Sequence, residues 1–410
     1  MPRKILWIAE AVTLAHVARP LAAHRGLGSQ GWSSVIACDL RAKKYLDTFE
    51  GEYFPLASVE SQQFLGALRD GRPVYDAPTL MRYVEADLEL ISDVNPDLVI
   101  GDFRLSLSVS ARLARVPYAT IASACWSPHY RPGSWPTPDL PPTRLLPLAL
   151  AGAIFRVARP AAFALHAGPM NAIRRKFGLP ALGHDLRRVY TDADFVLYAD
   201  LPELYPMTNL PSNHHFVGPA LWEPAEKIPA GWASRPTDKP VIYVTLGSSG
   251  AGDLLPAIVA ALGAMPITAM VATASKIQIP TPPSHILVTE MLPGIEVAKQ
   301  SKLVICNGGS LTCYQALSAG VPVIGIASNL DQFLNMQAIE RVGAGLTLRA
   351  DRFSPEKLER AVRKALSDTG LRRRAGEVQR WCEEHVLADG IRAFLAQLPS
   401  RDAPRRPGSD

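Results

Sequence analysis

The chain lacks the signatures of several large protein classes. It has no C-x-x-C pair, and its five cysteines, Cys38, Cys125, Cys306, Cys313 and Cys382, are odd in number. Neither a disulfide framework nor a cysteine-spaced zinc site is therefore expected, and a reducing cytoplasm fits the pattern. No G-x-x-x-x-G-K-[ST] occurs, which leaves an ATP-type phosphate loop unsupported. There is no concentrated basic stripe of the kind a nucleic-acid binder carries. The nearest cluster, Arg372, Arg373 and Arg374, reads as a solvated helix face. No apolar run reaches the ~20 residues that cross a bilayer; the longest, Leu145–Phe155, is too short, and no transmembrane segment is expected. Near the start, Ile5–Ala9 is apolar, but Glu10 and His16 interrupt it. That run reads as a buried first strand and not as a secretory signal.

What is present is globular. Hydrophobic residues make up 48% and charged residues 20% of 410, and 43 basic against 38 acidic residues leave a net charge of +5. The length exceeds the ~250–300 residues at which one core stops growing, so two domains are expected. Strand-like runs at Ile5–Ala9, Val35–Cys38, Leu98–Ile100 and Tyr118–Ala122 alternate with helical spacing at His16–Gly26, Tyr83–Asp93 and Ser106–Arg115. The scheme recurs with strands at Val241–Leu246, Ile267–Ala272, Ile286–Thr289, Leu303–Cys306 and Val323–Ile326. The helices of this half are Leu254–Ala264, Thr312–Ala319, Gln332–Val342 and Ser354–Leu366, the last opened by a Ser-Pro-Glu start. This alternation predicts α/β domains with parallel sheets.

Proline is abundant, 36 in all. Pro219, Pro224, Pro229, Pro236 and Pro240 punctuate a strand-poor joint. The expected organisation is a first domain over 1–218, a linker over 219–240, a second domain over 241–398 and a frayed tail over 399–410. The Ala- and Leu-rich stretch Arg144–Phe177 reads as one or two helices inserted late in the first domain. Its apolar start, followed by Arg156 and Arg159, suits an ordinary core helix; a cover over a pocket or a peripheral membrane contact are the other readings.

In open parallel sheets, ligands sit beyond the carboxyl ends of the strands. That rule selects Glu10–His16, Asp102–Ser106, Gly247–Gly250, Met291–Gly294, Asn307–Thr312 and Ala327–Gln332. The richest loop is Cys306-Asn-Gly-Gly-Ser-Leu-Thr312, between an apolar strand and a helix. Its paired glycines admit a close ligand, and the free N–H groups of a helix start attract an anion. A diphosphate fits there, as does a plain capped turn.

The stretch Leu303–Thr312, then Gln315–Pro322, then Asp331, Gln332 and Asn335, resembles the donor-binding signature of the family 1 glycosyltransferases. Tyr243-Val-Thr-Leu-Gly-Ser248 and Gly343-Ala-Gly345 extend the likeness, which spans Val241 to Leu366. The resemblance implies the GT-B fold, two Rossmann-like domains facing across a cleft. It implies that Ser248, Asn307, Gly308, Gly309, Ser310 and Thr312 hold the donor diphosphate. Met291, Leu292, Pro293 and Gln315 fall where the nucleoside packs, and Asp331 and Gln332 where the sugar hydroxyls bond. Three positions depart from the pattern. Asn307 stands where a phosphate-binding His is common, Gln315 where many members have a ribose-binding Glu, and Gly294 where many have Gln.

Transfer with inversion requires an acceptor hydroxyl to lose its proton as it attacks, and a neutral His oriented by a carboxylate is the usual device. The resemblance puts His16 at that place, although Ala15 replaces a glycine and Pro20 comes one residue late. Asp102, at the end of its strand, is the matching orienter, with a turn or cap role as its ordinary alternative. Glu10 is a reserve candidate for acceptor contact. Trp126 and His129 lie in an aromatic, proline-stiffened loop that reads either as the wall of an apolar acceptor pocket or as a packed surface loop.

The resulting expectation is an inverting, metal-independent glycosyltransferase. It would move a sugar from a UDP- or dTDP-sugar co-substrate to a small, largely apolar hydroxylated acceptor, with no cofactor. A GT-B enzyme with a lipid-linked acceptor, a catalytically silent nucleotide-sugar binder and a nucleotide-sugar epimerase are the rivals.

Overall fold

Thirteen short strands form two separate sheets in the computed structural model, which describes residues 2–27, 31–46, 49–232, 238–274 and 277–399. Pro236 of the joint and the tail 400–410 lie outside the described residues. In the first half, β1 (Arg3–Ala9), β2 (Trp32–Cys38), β3 (Glu52–Pro55), β4 (Leu98–Asp102), β5 (Tyr118–Ala122), β6 (Phe195–Tyr198) and β7 (His214–Phe216) are ordered β3-β2-β1-β4-β5-β6-β7. In the second, β8 (Val241–Thr245), β9 (Thr268–Ala272), β10 (Ile286–Thr289), β11 (Leu303–Cys306), β12 (Val323–Ala327) and β13 (Gly345–Arg349) are ordered β10-β9-β8-β11-β12-β13. Every pairing is parallel. Each half is thus a Rossmann-like α/β domain, and together they form the GT-B architecture.

The central strands β4, β5, β11 and β12 are buried along their whole length. Sheets covered by helices on both faces demand such continuous apolar runs. In both sheets the strand order reverses beside the first strand, between β1 and β4 and between β8 and β11. Those are the points at which loops splay apart and leave a crevice. The register sets Ala9 opposite Asp102 and Thr245 opposite Cys306, so the two crevices open at the carboxyl ends of matched strands.

The last helix, Leu387–Ala396, does not stay with the second sheet. It packs on the first helix, Leu14–Arg25, and its Leu387, Ile391, Phe394 and Leu395 join Ile5, Trp7, Leu21 and Leu98 in one core. Gly218 permits the crossing. Its φ is 90°, and a Cβ there would lie 2.1 Å from the carbonyl oxygen of His385. Both conditions require glycine.

The inserted segment is a short turn, Pro141–Arg144, followed by one helix of 29 residues, Leu148–Lys176. Pro160 and Pro169 lie inside it without ending it. By length and composition alone it is long and apolar enough to cross a membrane, as the shorter run Leu145–Phe155 is not. The core-helix reading is corrected, because most of the buried residues lie in the later part and much of the apolar surface is exposed. Phe163, Ala167, Met170 and Ile173 are buried, whereas Leu145, Leu148, Leu150, Ile154 and Val157 are exposed.

Candidate functional site

The loop after β1 leads into the helix Leu14–Arg25, and this junction presents His16. The imidazole Nδ1 lies 2.7 Å from Asp102 Oδ1, at the end of the adjacent strand β4. The sequence-predicted dyad is therefore assembled, and it has a third member that the sequence reading missed. Arg19 donates to both Asp102 oxygens, from Nε to Oδ2 and from Nη2 to Oδ1, each at 2.7 Å. Its Nη2 is also 2.8 Å from His16 Nδ1, and its Nη1 donates to Ser123 Oγ. Burial works to lower the Arg19 pKa, but the Asp102 carboxylate outweighs it, and the net shift is upward. The signal for Arg19 is its i, i+3 spacing from His16, which puts both on one helix face.

Nδ1 carries a proton in only one of the two neutral tautomers. With the carboxylate as acceptor, Nδ1–H donates to Asp102 and Nε2 is left with a lone pair. The ring is held flat by Phe103, stacked at a centroid distance of 4.6 Å and an interplanar angle of 18°. Phe103 has φ of 58°, a left-handed conformation that costs a bulky residue on the order of 1–3 kcal/mol.

Facing this dyad is the second domain's loop between β11 and the helix Ser310–Ser318. Gly309 is the residue before that helix, and Gly308 has φ of 80°. Asn307 organises the loop, accepting from the Gly309 N–H at 3.0 Å and donating to Ser249 Oγ at 3.1 Å. The Gly308 carbonyl accepts from Asn335 Nδ2 at 2.7 Å. The Gly247–Gly250 loop after β8 closes the other side, where Ser248 Oγ accepts from the Leu14 N–H at 3.2 Å. Asp331, at the start of the helix Leu330–Arg341, accepts from the Trp126 indole at 2.7 Å. Gln332 turns its amide oxygen to Ser328.

One cavity of about 300 Å³ joins these groups. His16, Arg19, Ser248, Ser249, Asn307, Gly309, Ser310, Thr312, Asp331 and Gln332 line its polar part. Phe64, Phe103, Leu105, Ile121, Trp126, Phe155, Phe163 and Tyr190 make an apolar wall. Such a wall with a few convergent polar groups suits a ligand with a charged end and a greasy one. Trp126 thus lies where the sequence reading put it. The other wall residues come from the helices Ser61–Asp70, Leu148–Lys176 and Leu186–Tyr190, from β5 and from the loop after β4, and no local motif marks them.

Two expected acceptor contacts are corrected. Glu10 is wholly buried away from the cavity, accepting from Tyr83 Oη at 2.7 Å and from Arg104 Nη1 at 3.0 Å. Arg104 bridges it to Asp87. Burial still leaves the Glu10 pKa raised, against the pull of Arg104 and Tyr83. His129 packs edge-on against His214 at 5.2 Å and also lies outside the cavity. Burial, seconded by the charges of Arg187 and Arg188, lowers its pKa.

Met291, Leu292, Pro293 and Gln315 lie together at the start of the helix Gly294–Lys299, outside this cavity. Gln315 donates to the Trp222 carbonyl at 2.7 Å and packs against Gly294, where any Cβ would meet it at 2.4 Å. Glycine at 294 and an amide at 315 are thus mutually fitted.

Below the cavity, Asp200 joins the halves. It accepts from the Ala124 N–H at 2.6 Å and from Tyr314 Oη at 2.8 Å. Burial pushes its pKa up to about 7, against the lowering effect of these bonds and of Arg19. All five cysteines are free and buried.

Comparison with known proteins shows the family and the fold. Residues 256–387 match the family model of the erythromycin biosynthesis protein CIII-like C-terminal domain. A PGL/p-HBAD biosynthesis rhamnosyltransferase of Mycobacterium bovis is 47% identical over 376 residues, covering 92% of this chain and 83% of the relative. A relative in the same species that is called inactive is 47% identical over 261 residues, covering 64% and 71%. Among solved structures, the kitacinnamycin glycotransferase superposes with a TM-score of 0.68 at 19% identity, covering 97% of this chain and all of the other. A spinosyn rhamnosyltransferase complexed with thymidine diphosphate gives 0.65 at 17%, covering 96% and 100%. At these identities the two structures speak for the fold.

Proposed function

Since this chain belongs to the glycosyltransferase family of the mycobacterial PGL/p-HBAD enzymes, we propose that it moves a hexose, rhamnose by the name of one such relative, from a dTDP- or UDP-sugar to a hydroxyl of an apolar acceptor, with inversion. The observation that carries this reading is the single cavity in which the His16–Asp102 dyad faces the start of the helix Ser310–Ser318. The acceptor lies along the wall of Phe64, Trp126 and Phe163 and offers its hydroxyl to His16 Nε2. As the proton passes to Nε2, the oxygen attacks the anomeric carbon and the bond to the diphosphate breaks. Asp102 stabilises the imidazolium that forms. The leaving diphosphate gathers N–H groups from Ser310 to Thr312 and the hydroxyls of Ser310 and Thr312, which takes the part a divalent cation plays in other transferases. Asp331 and Gln332 bond the sugar. The acceptor is phenolic and lipid-like, by the wall's apolar character and the relatives' place in phenolic glycolipid biosynthesis. The five free thiols suit the cytoplasm.

The test is to incubate purified protein with dTDP-rhamnose or UDP-sugars and a series of alkylated phenols. Nucleoside diphosphate release and glycoside formation are then followed, and the anomeric configuration of the product is read by NMR. Release of nucleotide with an inverted glycoside supports the proposal. Donor binding without turnover for any acceptor would place the chain with its inactive relative. A retained configuration would remove His16 from its role.

A further inference from the structure

The helix Leu148–Lys176 has two faces of opposite use. Its inner face carries Phe155 and Phe163 into the wall of the acceptor cavity. Its outer face is an aliphatic stripe at 150, 154, 157, 161 and 165, the four-three-four-four spacing of one side of a helix. Leu150 is 49% exposed, Ile154 50%, Val157 83% and Leu165 61%, and Leu145 just before the helix is 87% exposed. No side chain in the stripe can form a hydrogen bond. Contiguous exposed apolar surface of this kind marks an interaction site.

The charge around the stripe says what covers it. From Leu140 to His184 there is no acidic residue, while six basic ones, Arg144, Arg156, Arg159, Arg174, Arg175 and Lys176, occur. Of these, Arg144 is paired with Asp139 and Arg174 with Asp192. Arg156 is exposed within the stripe's length, and Arg175 and Lys176 are exposed at the helix end. An aliphatic stripe flanked by uncompensated cations complements an anionic lipid surface, with side chains in the acyl boundary and arginines among the headgroups. The buried Phe163, Ala167, Met170 and Ile173 anchor the helix to the protein, so it lies in the interface plane and does not span.

We propose that this outer face docks the enzyme on an anionic bilayer, with the helix as the partition between lipid and cavity. Docking itself does not depend on the sugar-transfer reading; the further step, that a lipid-like acceptor enters from the membrane side, rests on it.

The experiment uses the full chain, without donor or acceptor, and co-sedimentation with vesicles of phosphatidylcholine alone or containing phosphatidylglycerol. The parent sediments with the anionic vesicles, and less in high salt. The variant L150E/I154E/V157E binds at least roughly tenfold more weakly. These side chains are exposed and outside the cavity, so its circular dichroism, melting temperature and turnover of a water-soluble acceptor match the parent. A parent that stays in the supernatant with both vesicle types overturns the proposal. So does a variant that binds as the parent does. A parent that is dimeric, indifferent to vesicles and made monomeric by the substitutions would assign the face to a second copy, which also overturns it. Loss of turnover in the parent, with vesicle binding intact, counts against the transfer reading alone.

Discussion

The indole N–H of Trp126 reaches across the cleft to the carboxylate of Asp331, 2.7 Å away, and ties the wall of one domain to the sugar end of the other. The contact orients that carboxylate, whose same oxygen lies 3.9 Å from Cys125 Sγ. Trp126→Phe keeps the apolar wall and removes only the donor. We expect kcat/KM for the nucleotide sugar to fall about 5- to 30-fold, from a charge-assisted bond worth roughly 1–2 kcal/mol. Affinity for the bare nucleoside diphosphate should stay unchanged in calorimetry. An equal loss for both ligands would detach Asp331 from the sugar.

His16→Ala should lower kcat by about 10²–10⁴ while diphosphate affinity is kept. Parent-like turnover would end its role as base.

Arg19 gives a finer test. Its guanidinium clamps both oxygens of the carboxylate that orients His16. Arg19→Gln removes that clamp, so kcat should fall about 10- to 150-fold, from charge-assisted bonds worth roughly 1.5–3 kcal/mol. KM for the nucleotide sugar and the melting temperature should stay near the parent's. A kcat equal to the parent's would end the positioning role.

Arg104 pairs with both Glu10 and Asp87, and its guanidinium lies 3.5 Å over the Tyr83 ring. Arg104→Leu leaves two buried carboxylates without their counter-ion, a loss of about 3–5 kcal/mol in urea denaturation. Stability within about 1 kcal/mol of the parent would show that solvent reaches the cluster.

Asp200 predicts a slope. Its carboxyl, raised by burial from 3.8 to about 7, holds a proton in the folded chain that the unfolded chain releases. Stability from this group is therefore full below about pH 4 and is lost as pH rises through about 7. Asp200→Asn cannot titrate, so its urea midpoint should fall less than the parent's between pH ~5 and ~7. Parallel slopes would mean that Asp200 is ionised throughout.

The parts legible in the sequence were those with a strong period or a shared loop chemistry. β4, β5, β11 and β12 are buried on both faces and stand out as unbroken apolar runs. Ser354 caps its helix as its Ser-Pro-Glu context implies, accepting from the Lys357 N–H. Two of the edge strands, β3 and β7, were missed for a physical reason. β3 is Glu-Tyr-Phe-Pro, β7 is His-His-Phe, and only a neighbouring strand makes either of them extended. The dyad was legible because each partner ends or follows a central strand. Glu10 and His129 misled because a loop position next to a strand end does not say which way a side chain turns. Phe103 and the inner face of the long helix were illegible as site residues, since their role exists only once distant segments meet, whereas the spacing of Arg19 from His16 was a signal left unread.

The placement of the helix Leu387–Ala396 has a consequence for synthesis. The first sheet is encoded by residues up to 216, yet its core lacks Leu387, Ile391, Phe394 and Leu395 until nearly the whole chain has been made. At about 5–20 residues per second, the ~170 residues in between keep that apolar face open for roughly 10–35 s. A nascent first domain must wait in that state, or be shielded by a chaperone, until the end of the chain emerges to close it.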